Sequence, residues 1–412
     1  RQVGKTWILR EFGKNEYDKF VYINCDNNPE LEGLFSDYDT ERILRFLSAY
    51  SGVNITRGDT FIFLDEIQEL ERGIASLKYF CEEAGEYHIA VAGSLLGMRI
   101  HKGTGFPVGK VDRLHMEPLS FMEFLDACGK VELCKLISER RWNEMYMLKH
   151  TMIECLRQYY YVGGMPEVVR SYISEQDLQK VRSIQKNILS DYRDDFSKHI
   201  PKEELPRVNM VWDSITKQLA KENKKFIYGV LKSGGRAKEF EKAIMWLLDA
   251  GLIHKVNRVD RLIKPVKFYE DAGAFKLFML DLGLLGAMAD TSAKEMLTKN
   301  SVFSEYKGAF TEQYVAQQFY SLYEEGLYYY TNESATNELD FVVQAELVHP
   351  IEVKAEENLK SKSLSAVLKT YTETYGWRFS MSDYREQDRM TNIPLYLCEE
   401  WFKCRCRDTI SA

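Results

Sequence analysis

Between Arg1 and about Ser120, short apolar runs alternate with amphipathic stretches: KFVYINCD, TERILRFLSAYSG, TFIFLDEIQ, GIASLKYFCEEA and YHIAVAGS. Strands alternating with helices predict an α/β domain over 1–120, built on a mainly parallel sheet. LSFMEFLDACGKVELCKLI and EMYMLKHTMIECLRQYYYVGGMPEVVRSYI then place apolar residues three and four apart, which predicts a helical lid over 121–206. Over 207–270, helical patterns in MVWDSITKQLA, IYGVLKSGG and KEFEKAIMWLLDAGLI precede the alternating segments HKVNRV and VKFYED. Three helices followed by a β-ribbon is a winged-helix pattern. FKLFMLDLGLLGAMAD reads as part of a connector over 271–298. A last α/β unit fills 299–412, with helix YKGAFTEQYVAQQFYSLY, strands LYYYTN, ELDFVVQA and HPIEVKA, and helix SLSAVLKTYTETY.

At 412 residues, 45% hydrophobic and 28% charged, the chain is expected to be globular and long enough for several domains. No apolar run approaches the roughly 20 residues of a membrane span, and no signal-peptide layout opens the sequence, so a cytoplasmic setting is expected. A net charge of −7 and a pI near 5.7 do not announce a nucleic-acid protein, although they leave room for local basic patches. The eight cysteines are scattered, and Cys25, Cys81, Cys128, Cys134 and Cys155 sit in apolar patterns as reduced thiols. Cys398, Cys404 and Cys406 cluster without a fourth ligand at paired spacing, which favours thiols over zinc.

The loop RQVGKT holds Gly4, Lys5 and Thr6, the last letters of the GxxxxGKS/T phosphate loop. The first glycine of that pattern would lie before Arg1, so the loop reads as N-terminally truncated. Such a loop cradles phosphate with backbone N–H groups, sets a lysine ammonium by the β and γ oxygens and offers a hydroxyl to Mg²⁺. Downstream, TFIFLDEIQ is a buried strand ending in Asp65 and Glu66. Asp65 then lies where open α/β sheets bind ligands and holds Mg²⁺ through a water, and Glu66 orients or deprotonates the attacking water. HIAVAGS is a further strand ending on Ser94, suited to sensing the γ-phosphate or the water. Taken singly, a GKT occurs by chance and FLDE is a strand running into a helix cap. In this order and spacing they point to an ATPase, with ATP and Mg²⁺ as cofactors.

The stretches RQVGKT, FIFLDEIQ, VAGSLLG, FPVGKV, MEPLSFMEFL, YYYVGGMPEVV, AIMWLLDAGLI, FKLFMLDLGLL and ELDFVVQ…PIEVK span most of the chain. Through them it resembles prokaryotic AAA-type ATPases of the archaeal-ATPase group that carry a C-terminal domain of unknown function. The resemblance implies that Arg113 or Arg99 reaches a γ-phosphate and that Pro166, in GGMP, is a lid proline touching nucleotide. The bland alternatives are a surface arginine and a helix-breaking turn.

In SGGRAKEFEKAIMWLLDAGLIHKV, the stripe Phe240, Ile244, Leu247 and Leu248 faces a core, leaving Arg236, Lys238, Glu239, Glu241 and Lys242 outside. These mixed signs fit either DNA docking or a rigid spacer. In NELDFVVQAELVHPIEVKA, Asp340 lies on one strand, and Glu352 and Lys354 share a face of the next. Glu312 lies on the helix upstream. Converging carboxylates and a lysine are the equipment for Mg²⁺-dependent phosphodiester cleavage, with Glu312, Asp340 and Glu352 as ligands and Lys354 beside the attacking water. The acid, hairpin, ExK order resembles the PD-(D/E)XK restriction-endonuclease fold, with Leu339 in the proline position and Glu338 before it pointing to the opposite face. Alternating charges on a solvent-facing hairpin are the plain alternative.

The expectation is an α/β chain: a P-loop AAA-type domain, helical lid, winged helix and restriction-endonuclease-like domain. It hydrolyses ATP to drive a tail that engages DNA or another nucleic acid, with or without cutting it. The rivals are a regulatory switch with a vestigial nuclease tail and an enzyme with ATPase activity alone. AAA-like sites often borrow an arginine from a neighbour, so a homo-oligomer fits the reading.

Overall fold

A computed structural model describes the chain except residues 32, 71, 94–106, 222–223, 298–303, 333–336, 357–361 and 411–412. It divides into two units, Arg1–Met116 and Glu117–Ala412. In the first, β1 (Lys19–Asn24), β2 (Thr60–Asp65) and β3 (His88–Ala92) form a parallel sheet in the order β1-β2-β3. Every residue of β2 is buried, as an apolar run covered on both faces requires. Helix α2 (Thr40–Ser51) supplies Ile43, Leu44 and Leu47 against Val21, Ile23, Ile62 and Leu64, and α3 (Gly73–Glu83) adds Phe80. The opposite face carries Phe61, Phe63 and Ala92, packed by Leu9 of α1 (Lys5–Glu16) and by Phe20 and Tyr22. Asn24 pairs with Asp65, and Asp65 with Ala92, so the three strands end together.

The second unit begins with helices α4 (Phe121–Ala127), α5 (Val131–Ser138), α6 (Lys149–Val162), α7 (Pro166–Glu175) and α8 (Leu178–His199). Helices α9 (Leu205–Leu219), α10 (Tyr228–Leu231) and α11 (Ala237–Asp249) precede a ribbon of β4 (Ile253–Val259) and β5 (Glu270–Met279). In α11, Phe240, Ile244 and Leu247 are buried while Lys238, Glu239, Glu241 and Lys242 face solvent.

The boundaries differ from the sequence pattern here. VKFYED is not a strand but a 3-10 turn, Val266–Tyr269, leading into β5, because Leu262 and Val266 are drawn into a core with Val342 and Val348. The expected connector contains the second half of β5, all buried from Ala274 to Met279, followed by α12 (Leu282–Met288) and α13 (Ala293–Leu297). Strand β4 also pairs in parallel with β6 (Leu327–Thr331), so the ribbon belongs to the C-terminal sheet.

That sheet follows α14 (Ser304–Tyr320). Strands β6, β7 (Glu338–Gln344) and β8 (Val348–Val353) form an antiparallel meander. After α15 (Ser363–Thr370), β9 (Gly376–Ser380) returns parallel to β8. A short β10 (Arg385–Glu386), β11 (Met390–Pro394) and α16 (Cys398–Ile410) complete the described residues, giving the strand order β10-β11-β9-β8-β7-β6-β4-β5. All eight cysteines are free thiols; burial raises those of Cys398, Cys404 and Cys406.

Close backbone approach fixes the joint between α6 and α7. Gly163 has φ 74°, and a Cβ there would lie 2.4 Å from Asp281 Oδ1. A Cβ on Gly164 would lie 2.1 Å from the Leu119 carbonyl oxygen, beside the Leu119 N–H to Gly164 C=O hydrogen bond of 2.8 Å. The N-terminus of α4 is also fully engaged. Ser120 and Glu123 form a capping box, Phe121 N–H donates to Gln318 at 2.8 Å, and Met122 N–H donates to Glu399 at 2.9 Å.

Burial pushes the Glu399 carboxyl up to about 7, reinforced by Glu123 and opposed by the Met122 N–H, Ser120 and Lys403. The folded chain therefore binds this proton more tightly than an unfolded glutamate near pH 4.3, and the stability it adds declines as pH rises from about 4.3 to about 7. Urea midpoints of Glu399→Gln should lack this decline and exceed the wild type above pH 7; parallel pH profiles would refute the assignment. Separately, Gly164→Ala should destabilise the second unit by ~1–3 kcal/mol through overpacking. Gly33→Ala, where an added Cβ meets nothing within 4 Å, should change stability by less than about 0.5 kcal/mol.

Candidate functional site

Gly4 adopts φ 88°, the left-handed conformation in which glycine is strain-free, and turns the chain into α1. No side chain caps that helix, so its first-turn N–H groups are aimed out of the N-terminus with the positive end of the dipole. Lys5 and Thr6 open the helix. The Thr6 hydroxyl donates to Asp65 Oδ2 at 2.8 Å across 59 residues of sequence, and the Tyr22 hydroxyl reaches the same oxygen at 3.4 Å. Asp65 is only 5% exposed, at the end of β2, and its carbonyl accepts from Cys25 N–H at 2.8 Å. Burial, then the charges of Asp65 and Glu66, push the Cys25 thiol up to about 12.

Glu66 follows with φ 52°, an uncommon conformation for a non-glycine residue, and its carboxylate accepts from the Gln68 amide. The turn sends Glu66 off the strand immediately after Asp65. The hydroxyl and carboxylate oxygens of Thr6 and Asp65 are hard ligands side by side, a donor set that fits Mg²⁺. When bound with nucleotide, the ion supplies positive charge to the phosphate oxygens.

Ser94 and Arg99 lie outside the described residues. Arg113 is exposed in a stretch without helix or strand, and Pro166 is the first residue of α7, in the second unit.

The C-terminal residues meet differently from the expectation. Glu312 on α14 and Asp340 on β7 come together, but the Glu312 carboxylate is taken by Lys224 and lies 3.7 Å from Lys276. Lys276, 1% exposed on β5, also pairs with Glu338 at 2.9 Å and lies 4.8 Å from the centre of the Tyr329 ring. Asp340 accepts the Val353 N–H at 2.7 Å. Glu352 turns to Arg378 at 3.0 Å and to Lys354 at 3.2 Å.

The expected metal ligands Glu312, Asp340 and Glu352 are each engaged with other groups of the chain. Among the described residues no three histidine, cysteine or acidic side chains are placed to hold a metal ion. Lysine and arginine side chains pair with Glu312 and Glu352, Lys354 among them, and Asp340 accepts the Val353 N–H. Burial and the Glu312 charge raise Asp340 to about 8, with Lys276 and Lys224 opposing. Burial would raise Glu312 too, but the Lys224 and Lys276 ammoniums outweigh it and hold it low. The two neighbouring carboxyls are thus driven apart, Asp340 upward and Glu312 downward.

Lys224, Lys276 and Arg378 escaped the sequence reading. Lys276 had a signal, a lone lysine inside the apolar run AFKLFM, which burial obliges to find an anion.

If the Thr6–Asp65 pair holds Mg²⁺ with nucleotide, Thr6→Ala should weaken binding of a fluorescent ATP analogue about 10-fold or more in the presence of Mg²⁺, the scale of a hydrogen bond to a charged group. Without Mg²⁺ the affinities should be similar. An unchanged Mg²⁺ dependence would remove Thr6 from the site.

Residues 1–125 match the family model described as an AAA domain. Residues 153–295 and 307–398 match two domains of unknown function, DUF8612 and DUF4143. No curated protein matches the sequence. Among solved structures, the chain is similar to the Walker-type ATPase PABY2304 of Pyrococcus abyssi, at 13% identity over 70% of this chain and 89% of that one, with a TM-score of 0.42. It is also similar to the Aeropyrum pernix ORC1 protein, solved in complex with DNA, at 14% identity over 70% and 84% of the two chains, with a TM-score of 0.29. Together with the glycine turn and the Thr6–Asp65 pair, the match over 1–125 supports an AAA-type P-loop ATPase domain that binds and hydrolyses ATP.

Proposed function

We propose that the chain is an ATP-hydrolysing switch, acting in the cytoplasm, whose nucleotide state is coupled to a nucleic-acid-engaging C-terminal domain. The observation that carries the reading is the Thr6 to Asp65 hydrogen bond, which joins the phosphate loop to the strand bearing the acidic pair. In this reading Gly4 and the first turn of α1 cradle phosphate, Lys5 neutralises the β and γ oxygens, and Thr6 and Asp65 hold Mg²⁺. Glu66 takes the proton of the attacking water. Ser94 senses the γ-phosphate, and Arg113 is the candidate to reach it, from the same chain or from a second copy. Pro166 is assigned to the lid.

For the tail, α14, the β6-β7-β8 meander, α15 and β9 parallel to β8 follow the order expected of a restriction-endonuclease-like fold. The helices α9 to α11 with the β4-β5 ribbon fit a winged helix. A Mg²⁺-dependent nuclease is one version of this domain. The ion pairs on Glu312 and Glu352 favour the other, a regulatory switch whose tail binds without cutting. No helix among the described residues is long and apolar enough to cross a membrane.

Glu66→Gln should keep ATP affinity and lose turnover by ~10²-fold or more, the usual scale for removing a general base. Undiminished hydrolysis would exclude Glu66 from the mechanism. Cleavage of single-stranded DNA, duplex DNA or RNA by the wild type with Mg²⁺ or Mn²⁺, abolished by Lys354→Ala, would restore the nuclease version.

A further inference from the structure

We infer that the C-terminal carboxylate site is closed to divalent metal, with the buried ammoniums of Lys276 and Lys224 in the place that a metal ion would take. The inference deepens the non-cleaving version of the tail and does not depend on the ATPase.

It rests on charge balance in a dry place. Glu312, Glu338 and Glu352 are paired with the four cationic side chains Lys224, Lys276, Lys354 and Arg378, and Asp340, beside Glu312, accepts the Val353 N–H. Glu312, Glu352, Lys276 and Arg378 are each no more than 5% exposed. A divalent ion is held by carboxylates whose charge the protein has left unbalanced. Here an added dication would leave two uncompensated positive charges beside buried cations, the arrangement that low-dielectric surroundings penalise most. The neighbouring ion pair, Arg258 with Asp271 at 2.7 Å, is itself balanced and offers no relief.

Geometry makes the substitution specific. Lys276 comes from β5, at the far edge of the sheet, and its ammonium lies between Glu338 at 2.9 Å and Glu312 at 3.7 Å, against the face of Tyr329. Lys224, from the segment between α9 and α10, takes the other oxygen of Glu312. Two elements outside the helix–meander–helix–strand core thus reach in to supply the positive charge. Glu352 is paired with Arg378 on the adjacent strand β9, in register with it.

The test is Mn²⁺ binding by the nucleotide-free full chain, followed by the electron paramagnetic resonance signal of free Mn²⁺. Asp65→Asn serves as the background, to silence the first unit. The wild-type tail should take up no stoichiometric Mn²⁺ up to about 1 mM, whereas Lys224→Ala, Lys276→Met or the pair should gain one bound ion per chain, lost again with Asp340→Asn. Lys224 is at the rim of the site, with a side chain 12% exposed, so its variant remains readable if Lys276→Met does not fold. Circular dichroism and elution volume establish which variants are folded. Tight Mn²⁺ in the wild-type tail, removed by Asp340→Asn, would overturn the inference. So would folded lysine variants that stay empty. Nucleotide binding and hydrolysis, measured on the chain with Asp65 intact, report the ATPase reading separately.

Discussion

The second unit depends on one constraint: α14 is buried on every side from Ala309 to Tyr320, so each polar side chain it carries must find a partner inside the protein. Gln313 accepts from the Met279 N–H at 2.9 Å and donates to the Met279 carbonyl at 2.6 Å, holding the end of β5. Gln317 accepts from Leu282 N–H and donates to Asp281, which caps α12 and accepts from Gly164 N–H. Gln318 accepts from Phe121 N–H at the start of α4. Glu312 meets Lys224 and Lys276. Sheet edge, short helix, helical segment and charge cluster are thus tied to one helix by groups that would each cost about 1–3 kcal/mol if left unpaired.

This explains why unlike segments fold as one body. A helix apolar on all sides could slide or rotate in its seat with modest loss, whereas glutamines at fixed positions accept one register. The glycines at 163 and 164 belong to the same constraint, since Asp281 and Leu119 approach too closely for a side chain. In the first unit the register comes from the strands themselves. β1, β2 and β3 end level at Asn24, Asp65 and Ala92, and that common end is where Thr6 is received.

Sequence legibility follows the range of the interactions. The phosphate loop and the acidic pair each sit at the end of a single element, so their placement was readable from local pattern alone, and the fold only had to bring two ends together. The α9 to α11 helices and the β6-β7-β8 meander were likewise legible from periodicity. Strands β9 and β11 were not, because GWRFS and MTNIP are short and each carries a buried polar residue, Arg378 and Asn392, that breaks the apolar pattern. The expected connector shows the converse. Its apolar run is a strand paired with β4, and the buried Lys276 within it meets carboxylates 36 and 62 positions further along the chain, at Glu312 and Glu338.

The same residue type has opposite uses at the two ends of the chain. Asp65 meets hydroxyls, of Thr6 and Tyr22, which orient a carboxylate without cancelling its charge. Glu312 and Glu352 meet ammonium and guanidinium groups, which cancel it. On the proposal made above, three converging carboxylates are not by themselves a metal site: what decides is whether the fold leaves their charge to an ion or balances it from within. A motif of acids and a lysine specifies positions on two strands, but the balancing cations come from Lys224, Lys276 and Arg378, outside the motif. Reading such a motif for activity thus requires the buried cations around it to be counted first.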